Sequence, residues 1–167
     1  MTGGRGRDII AAGACLPENG GARGGGIFVK IMVSACLLGE NCKYNGKNNR
    51  NERVLDFLHG CEVVPVCPEV MGGLPVPREP AEIRDGEVVG RSGKSVDRAF
   101  RLGAEKCLAI ALRERPDLVV LQPRSPSCGV KQRYDGTFSG TLTEGPGVTA
   151  ALLREHGFRT VEPEDLD

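Results

Sequence analysis

Three cysteines, Cys36, Cys67 and Cys128, occupy one kind of place in the chain. Each lies just past a short apolar run, over residues 27–33, 62–66 and 118–121, that reads as a buried strand. In an open parallel sheet, ligands bind in the crevice beyond the carboxyl ends of the strands. A thiolate delivered there is a nucleophile or a metal ligand. Three of them, brought together from distant parts of the sequence, predict a three-thiolate metal site with one coordination position left open.

The local settings sharpen this reading. Cys67 opens Cys67-Pro68-Glu69. The proline holds its predecessor in extended backbone, a firm platform for a ligand, although a buried cysteine before a turn has the same sequence. Ser125-Pro126-Ser127-Cys128-Gly129 flanks its cysteine with two hydroxyls. A metal ligand, a nucleophile with hydroxyl partners and an ordinary tight turn all fit it. Cys36 lies in Ser34-Ala35-Cys36-Leu37-Leu38-Gly39, which also suits the apolar end of a strand. Cys42 could be a fourth ligand, a persulfide carrier or a loop cysteine. It is left out of the ligand set because three ligands keep one metal position free for chemistry. Cys61, at a strand start, and Cys107, on the apolar face of a helix, read as structural.

The two histidines, His59 and His156, each precede a glycine. They therefore fall at helix C-termini, where a cation favours the dipole and glycine supplies the cap. That placement disfavours Cys–His or Ser–His hydrolase chemistry and mixed Cys/His zinc ligation. An iron–sulfur cluster, which takes thiolates, fits better. Glu69 is close enough to Cys67 to serve the same crevice as a general acid or base. Arg78, Arg124, Lys131 and Arg133 cluster around these loops and are expected to offset thiolate charge or attract an anion. Gly145-Pro146-Gly147 opens the last helix, whose unbonded N–H groups could hold an anion.

The elements that must position these residues alternate between strand and helix. After strand one (27–34) come a turn-rich stretch and a short helix over about 50–59. Strand two is 62–66, and the proline-rich segment 67–80 reads as a loop. Residues 81–90 read as a hairpin around Asp85-Gly86. The strongest helical period runs over 95–114 and stops at Pro116. Strand three (118–121) feeds a long polar loop, 122–144. A helix over 146–156 and a strand over 158–162 close the pattern. Alternation of this kind predicts an α/β domain with a mostly parallel sheet flanked by helices and long functional loops at the strand C-termini.

Size and composition set the outer bounds. At 167 residues one domain is expected, spanning 27–167. Residues 1–26 are rich in Gly and Arg, lack a hydrophobic period and are expected to be a disordered extension. A native start near Val29 is expected; a peptide from residues 8–23 in native protein would exclude it. Basic and acidic side chains balance at 22 each, which argues against a strong nonspecific nucleic-acid binder. No apolar run approaches the roughly 20 residues needed to span a membrane. The stretch before Cys15 is too short and follows Asp8, so it is not read as a lipoprotein signal. A cytoplasmic location is expected, where the seven cysteines are ligands, nucleophiles or core residues rather than disulfides.

Taken together, these segments resemble a bacterial and archaeal family catalogued as domain of unknown function 523, whose relatives include thiouracil desulfidases. The resemblance runs in collinear order over about 29–162. It is carried by residues 33–39, Cys42 with Tyr44-Asn45-Gly46, Pro65-Val66-Cys67-Pro68-Glu69, Gly72-Gly73-Leu74 and Pro77-Arg78. Ser125-Pro126-Ser127-Cys128-Gly129, Tyr134-Asp135-Gly136-Thr137-Phe138 and Gly147-Val148-Thr149-Ala150 complete it.

The resemblance implies a Rossmann-like domain and a 4Fe–4S cluster on Cys36, Cys67 and Cys128. One iron would stay open to take the sulfur of a thiocarbonyl as a Lewis acid. Water would replace that sulfur, which leaves as hydrogen sulfide without external electrons. Glu69 would move the proton, and Ser125 or Ser127 would orient the base or the water. A free thiolated pyrimidine such as 2-thiouracil is the expected substrate, with iron–sulfur assembly machinery as a partner. A tRNA thionucleoside is less favoured, because the chain has no room for the extra domain of relatives that act on one. If tRNA were bound, the basic residues between Lys43 and Arg53 would matter. A noncatalytic cluster-binding sensor or sulfur carrier, and a metal-free enzyme using Cys128 as nucleophile, are the competing readings.

Overall fold

A computed structural model describes residues 28–167. The expected extension, Cys15 and the first residue of the expected domain lie outside the described residues. Four strands form one parallel sheet in the order β2-β1-β5-β8: β1 (Lys30–Ser34), β2 (Glu62–Val66), β5 (Leu118–Val120) and β8 (Thr160–Val161). β1 is central and runs parallel to β2 and β5, with Ser34 opposite Val66 and Val33 opposite Val120.

Side chains on a strand point alternately to the two faces, and here both faces are apolar. Ile31, Val33, Leu118 and Val120 pack on one side with Val54, Phe57 and Leu58. Met32, Val119 and Leu121 pack on the other with Cys107, Ala111, Ala150 and Leu153 of the two long helices. A sheet buried on both faces reads as continuous apolar runs, which is why the strands were legible.

The helices are α1 (Glu52–Phe57), α2 (Pro68–Met71), α3 (Asp97–Glu114) and α4 (Val148–Glu155). α1 is shorter than its apolar period suggests, because Asn51 caps it by accepting from the Val54 N–H at 3.1 Å. α3 ends where Arg115 turns left-handed, at φ 52°, just before Pro116, which disfavours helical backbone in its predecessor. β3 (Ala81–Arg84) and β4 (Glu87–Gly90) form the expected hairpin, with Asp85 and Gly86 both at positive φ.

Two loops proved more ordered than expected. The start of the proline-rich segment is α2, with Pro68 in its first turn, where its missing N–H costs nothing. The polar stretch 122–144 contains the antiparallel pair β6 (Gln132–Tyr134) and β7 (Leu142–Glu144). Among the described residues, no helix is long and apolar enough to cross a membrane.

Candidate active site

Because β2, β1 and β5 are neighbours and parallel, their carboxyl ends open on one edge. Cys36 sits on a single 3-10 turn, Ala35–Leu38, directly after β1. Cys67 follows β2 and caps α2. Cys128 lies in the loop after β5. All three line one cavity of about 610 Å³, together with Ser34, Cys42, Tyr44, Glu69, Arg78, Arg124, Ser125, Tyr134 and Phe138. Leu74, Ala81, Val96 and Phe100 give it an apolar part of its wall.

Each cysteine is held by its own local device. The Asn49 side-chain amide donates to Cys36 Sγ at 3.8 Å, and the Asn49 N–H donates to the Cys36 carbonyl at 3.0 Å. The Cys67 thiol donates weakly to the Cys42 carbonyl at 3.9 Å. Cys128 owes its place to α4. A helix leaves its first four N–H groups without intrahelical partners. Here the N–H groups of Gly147, Val148, Thr149 and Ala150 donate to the carbonyls of Gly129, Pro126, Ser127 and Ser127, at 2.8–3.2 Å. The helix start therefore clamps the cysteine loop rather than an anion, and the anion expectation for 145–147 falls with it.

The serines complete that clamp. Ser125 Oγ accepts the N–H groups of Ser127 and Cys128 at 3.1 and 3.0 Å. Ser127 is 1% exposed and its hydroxyl pairs with Thr149 Oγ1 at 2.8 Å. The geometry gives both a part in holding Cys128. The Ser127 hydroxyl, on the same cavity as Glu69, has Thr149 as its partner. On the far side of the loop, Ser34 Oγ accepts the Gln122 N–H at 3.0 Å and ties β5 to β1.

Glu69 enters the cavity from α2 and forms an ion pair with Arg78; both side chains are largely buried. The same guanidinium donates to the Cys42 carbonyl at 2.9 Å and to the Pro75 carbonyl at 3.1 Å. Arg78 thus joins the Cys42 loop to the carboxylate.

Three of the cavity thiols, Cys42, Cys67 and Cys128, are held above the usual cysteine range. Hydrogen bonding to the Cys36 thiol, opposed by Cys67 and helped by burial, pushes Cys42 up to about 11. Cys67 is raised by its bond to Cys42 and then by burial. Cys128 is raised chiefly by burial, with the Ser34 hydroxyl acting the other way.

Residues 31–165 match the sequence pattern of 2-thiouracil desulfurase. The chain belongs to that family. Among curated proteins it is similar to the uncharacterized protein YbbK of Bacillus subtilis (strain 168). The two are 40% identical over 147 residues, covering 82% of this chain and 97% of that one. Among solved structures it is similar to the [4Fe-4S]-dependent thiouracil desulfidase TudS. Identity there is 42% and the TM-score 0.78, over 83% of this chain and 93% of that one.

In this desulfurase-family chain, the six residues singled out by sequence reasoning all line the one cavity. Two of the four expected cations do not. Lys131 pairs with Asp165 at 2.5 Å, and Arg133 donates to the Pro146 carbonyl at 2.8 Å. Both brace the cysteine loop's surroundings from outside. Tyr44 and Phe138 were quoted only as part of the family pattern, yet both rings line the cavity. Isolated aromatics in polar loops carry no period that would have marked them.

Proposed function

We propose that this chain is an iron–sulfur-dependent desulfidase that replaces the sulfur of a thiolated pyrimidine, such as 2-thiouracil, by oxygen. The observation that carries the reading is the convergence of Cys36, Cys67 and Cys128 from three adjacent strand ends on one cavity. The donors are cysteines with no histidine among the lining residues, which suits a multi-iron cluster, whose thiolates bind separate metal atoms. Cys36, Cys67 and Cys128 would hold a 4Fe–4S cluster with one iron lacking a protein ligand. When bound, it supplies a Lewis-acidic position for a thiocarbonyl sulfur.

The protein's own groups supply the rest. The apolar wall receives the planar ring and excludes bulk water from it. Glu69, kept in place by Arg78, takes a proton from the water that attacks the thiocarbonyl carbon. The C–S bond breaks as the C=O bond forms, and the sulfur departs as hydrogen sulfide with the two protons of that water. No electron enters or leaves the balance. Ser125 holds the turn that presents Cys128. Iron–sulfur assembly machinery is the partner such a chain requires.

The test is anaerobic reconstitution with iron and sulfide, followed by 2-thiouracil and loss of its thiocarbonyl absorbance. About four irons per chain with turnover supports the reading. A cluster without turnover moves the search to other thiolated rings. No cluster at all sinks the ligand assignment.

A further inference from the structure

Four described residues other than glycine have left-handed backbone: Asp85, Arg115, Arg124 and Phe138. Asp85 makes the β3–β4 turn, and Arg115 ends α3 before a proline. Phe138 lies in the β6–β7 connection, beside Gly136 and Gly140 at positive φ, where a glycine would serve the turn without strain. A bulky aromatic at φ 56° is disfavoured by contact between Cβ and the following carbonyl. Such a conformation persists only where its surroundings over-determine it, and it collects at ligand sites.

The surroundings of Phe138 do over-determine it. Glu82 of β3 is buried, and one of its carboxylate oxygens accepts the N–H groups of Gly136 and Phe138 at 3.0 and 3.1 Å. Arg84, on the same strand, donates from Nε and Nη2 to the Gly136 carbonyl at 2.9 and 2.7 Å. Its guanidinium also lies over the Phe138 ring, 5.7 Å from the centroid. Gly136 has φ 92°, and a Cβ there would come within 2.6 Å of the Ile83 carbonyl oxygen. All this bracing serves no core contact, since Phe138 belongs to none of the three buried apolar clusters. Its ring lines the cavity instead.

We propose that Phe138 determines specificity by providing the surface on which the planar heterocycle stacks. The identity of that heterocycle rests on the desulfidase reading. The brace from β3 fixes the ring before substrate arrives, so the substrate need not order it.

The test compares Phe138→Gly, Phe138→Leu and Phe138→Tyr as cluster-loaded proteins with equal iron content. Loss of an aromatic stacking partner should raise KM for 2-thiouracil about tenfold, with kcat changed by less than about threefold. Tyrosine should restore the wild-type KM, and leucine should not, despite similar bulk. The glycine variant should melt no lower than wild type, because glycine adopts this backbone freely. An unchanged KM in Phe138→Gly, leucine performing as well as tyrosine, or a clear fall in the glycine variant's melting temperature would each overturn the proposal. Should the wild type leave 2-thiouracil intact, that substrate is excluded on that result alone. The stacking surface is then judged with uracil by ligand-observed NMR. Uracil binding to wild type but not to Phe138→Gly sustains the proposal, and equal binding, or none, overturns it.

Discussion

At the scale of single residues, the division among the cysteines is the sharpest expectation. Serine keeps the shape of cysteine but offers iron a hydroxyl in place of a thiolate. Cys36→Ser, Cys67→Ser and Cys128→Ser should each lose iron and activity after reconstitution. Cys42→Ser should keep its iron, with its loop still held by Arg78 through the Cys42 carbonyl. Cys107→Ala should also keep its iron, since that thiol is fully buried against Met71 Sδ at 3.8 Å and does not line the cavity. Full iron loading of Cys67→Ser, measured by iron content and visible spectrum, would break the assignment. Glu69→Gln separates chemistry from assembly: iron content should stay near wild type while kcat falls about 10²–10⁴-fold, the usual loss on removing a general acid–base group. Undiminished kcat would remove Glu69 from the mechanism. The cysteines and Glu69 were legible because strand-end position is a sequence property. The commitments of Ser127 to Thr149 and of Arg78 to Glu69 were not, because each partner comes from another element.

At the scale of elements, the contact between α2 and α3 carries the greatest leverage on the site. α2 begins at Pro68, directly after Cys67, and lies so close to α3 that two glycines are required. A Cβ on Gly103 would fall 1.9 Å from the Pro68 carbonyl oxygen, and one on Gly72 would fall 2.0 Å from the Ala99 carbonyl oxygen. Both obstructing atoms are backbone and cannot rotate away. Gly103→Ala should therefore destabilise the fold by about 1–3 kcal/mol, the usual range for overpacking, despite the better helix propensity of alanine. Because the helix that must shift carries Cys67, iron retention should fall with it. A Gly103→Ala protein with wild-type melting temperature and iron content would show that the two helices are free to separate. The helical period over 95–114 made α3 legible, but not the role of Gly103 as a point of backbone approach, since apolar period reports burial and not distance. β6 and β7 escaped for a related reason: Gln-Arg-Tyr and Leu-Thr-Glu are short, half-exposed and carry no alternation to read.

At the scale of the whole molecule, the question is whether the fold depends on what the site binds. Alternating strands and helices made a parallel sheet legible, but not the order β2-β1-β5-β8, and that order is what makes the three cysteine-bearing ends neighbours. The sheet owes its stability to apolar packing on both of its faces. Ile31, Met32, Val33, Leu118, Val119 and Val120 are all fully buried between helices on the two faces. Small domains that lack such a core unfold when their metal is removed; this one has a core without it. Protein stripped of iron by a chelator should accordingly keep a cooperative thermal transition and its far-UV circular dichroism. Loading with iron and sulfide should raise the melting temperature, as any ligand of the native state does. Hydrogen exchange locates the effect. Amides in residues 35–49, 67–78 and 122–130, the segments that follow β1, β2 and β5, should gain protection on loading, while those of β1 and β5 should be slow in both states. Local opening of loops at low cost, with a core that opens only globally, is the pattern of a site carried on a stable scaffold. Fast exchange throughout β1 and β5 in the iron-free protein would reverse the order of dependence, making the fold a consequence of the cluster rather than its support.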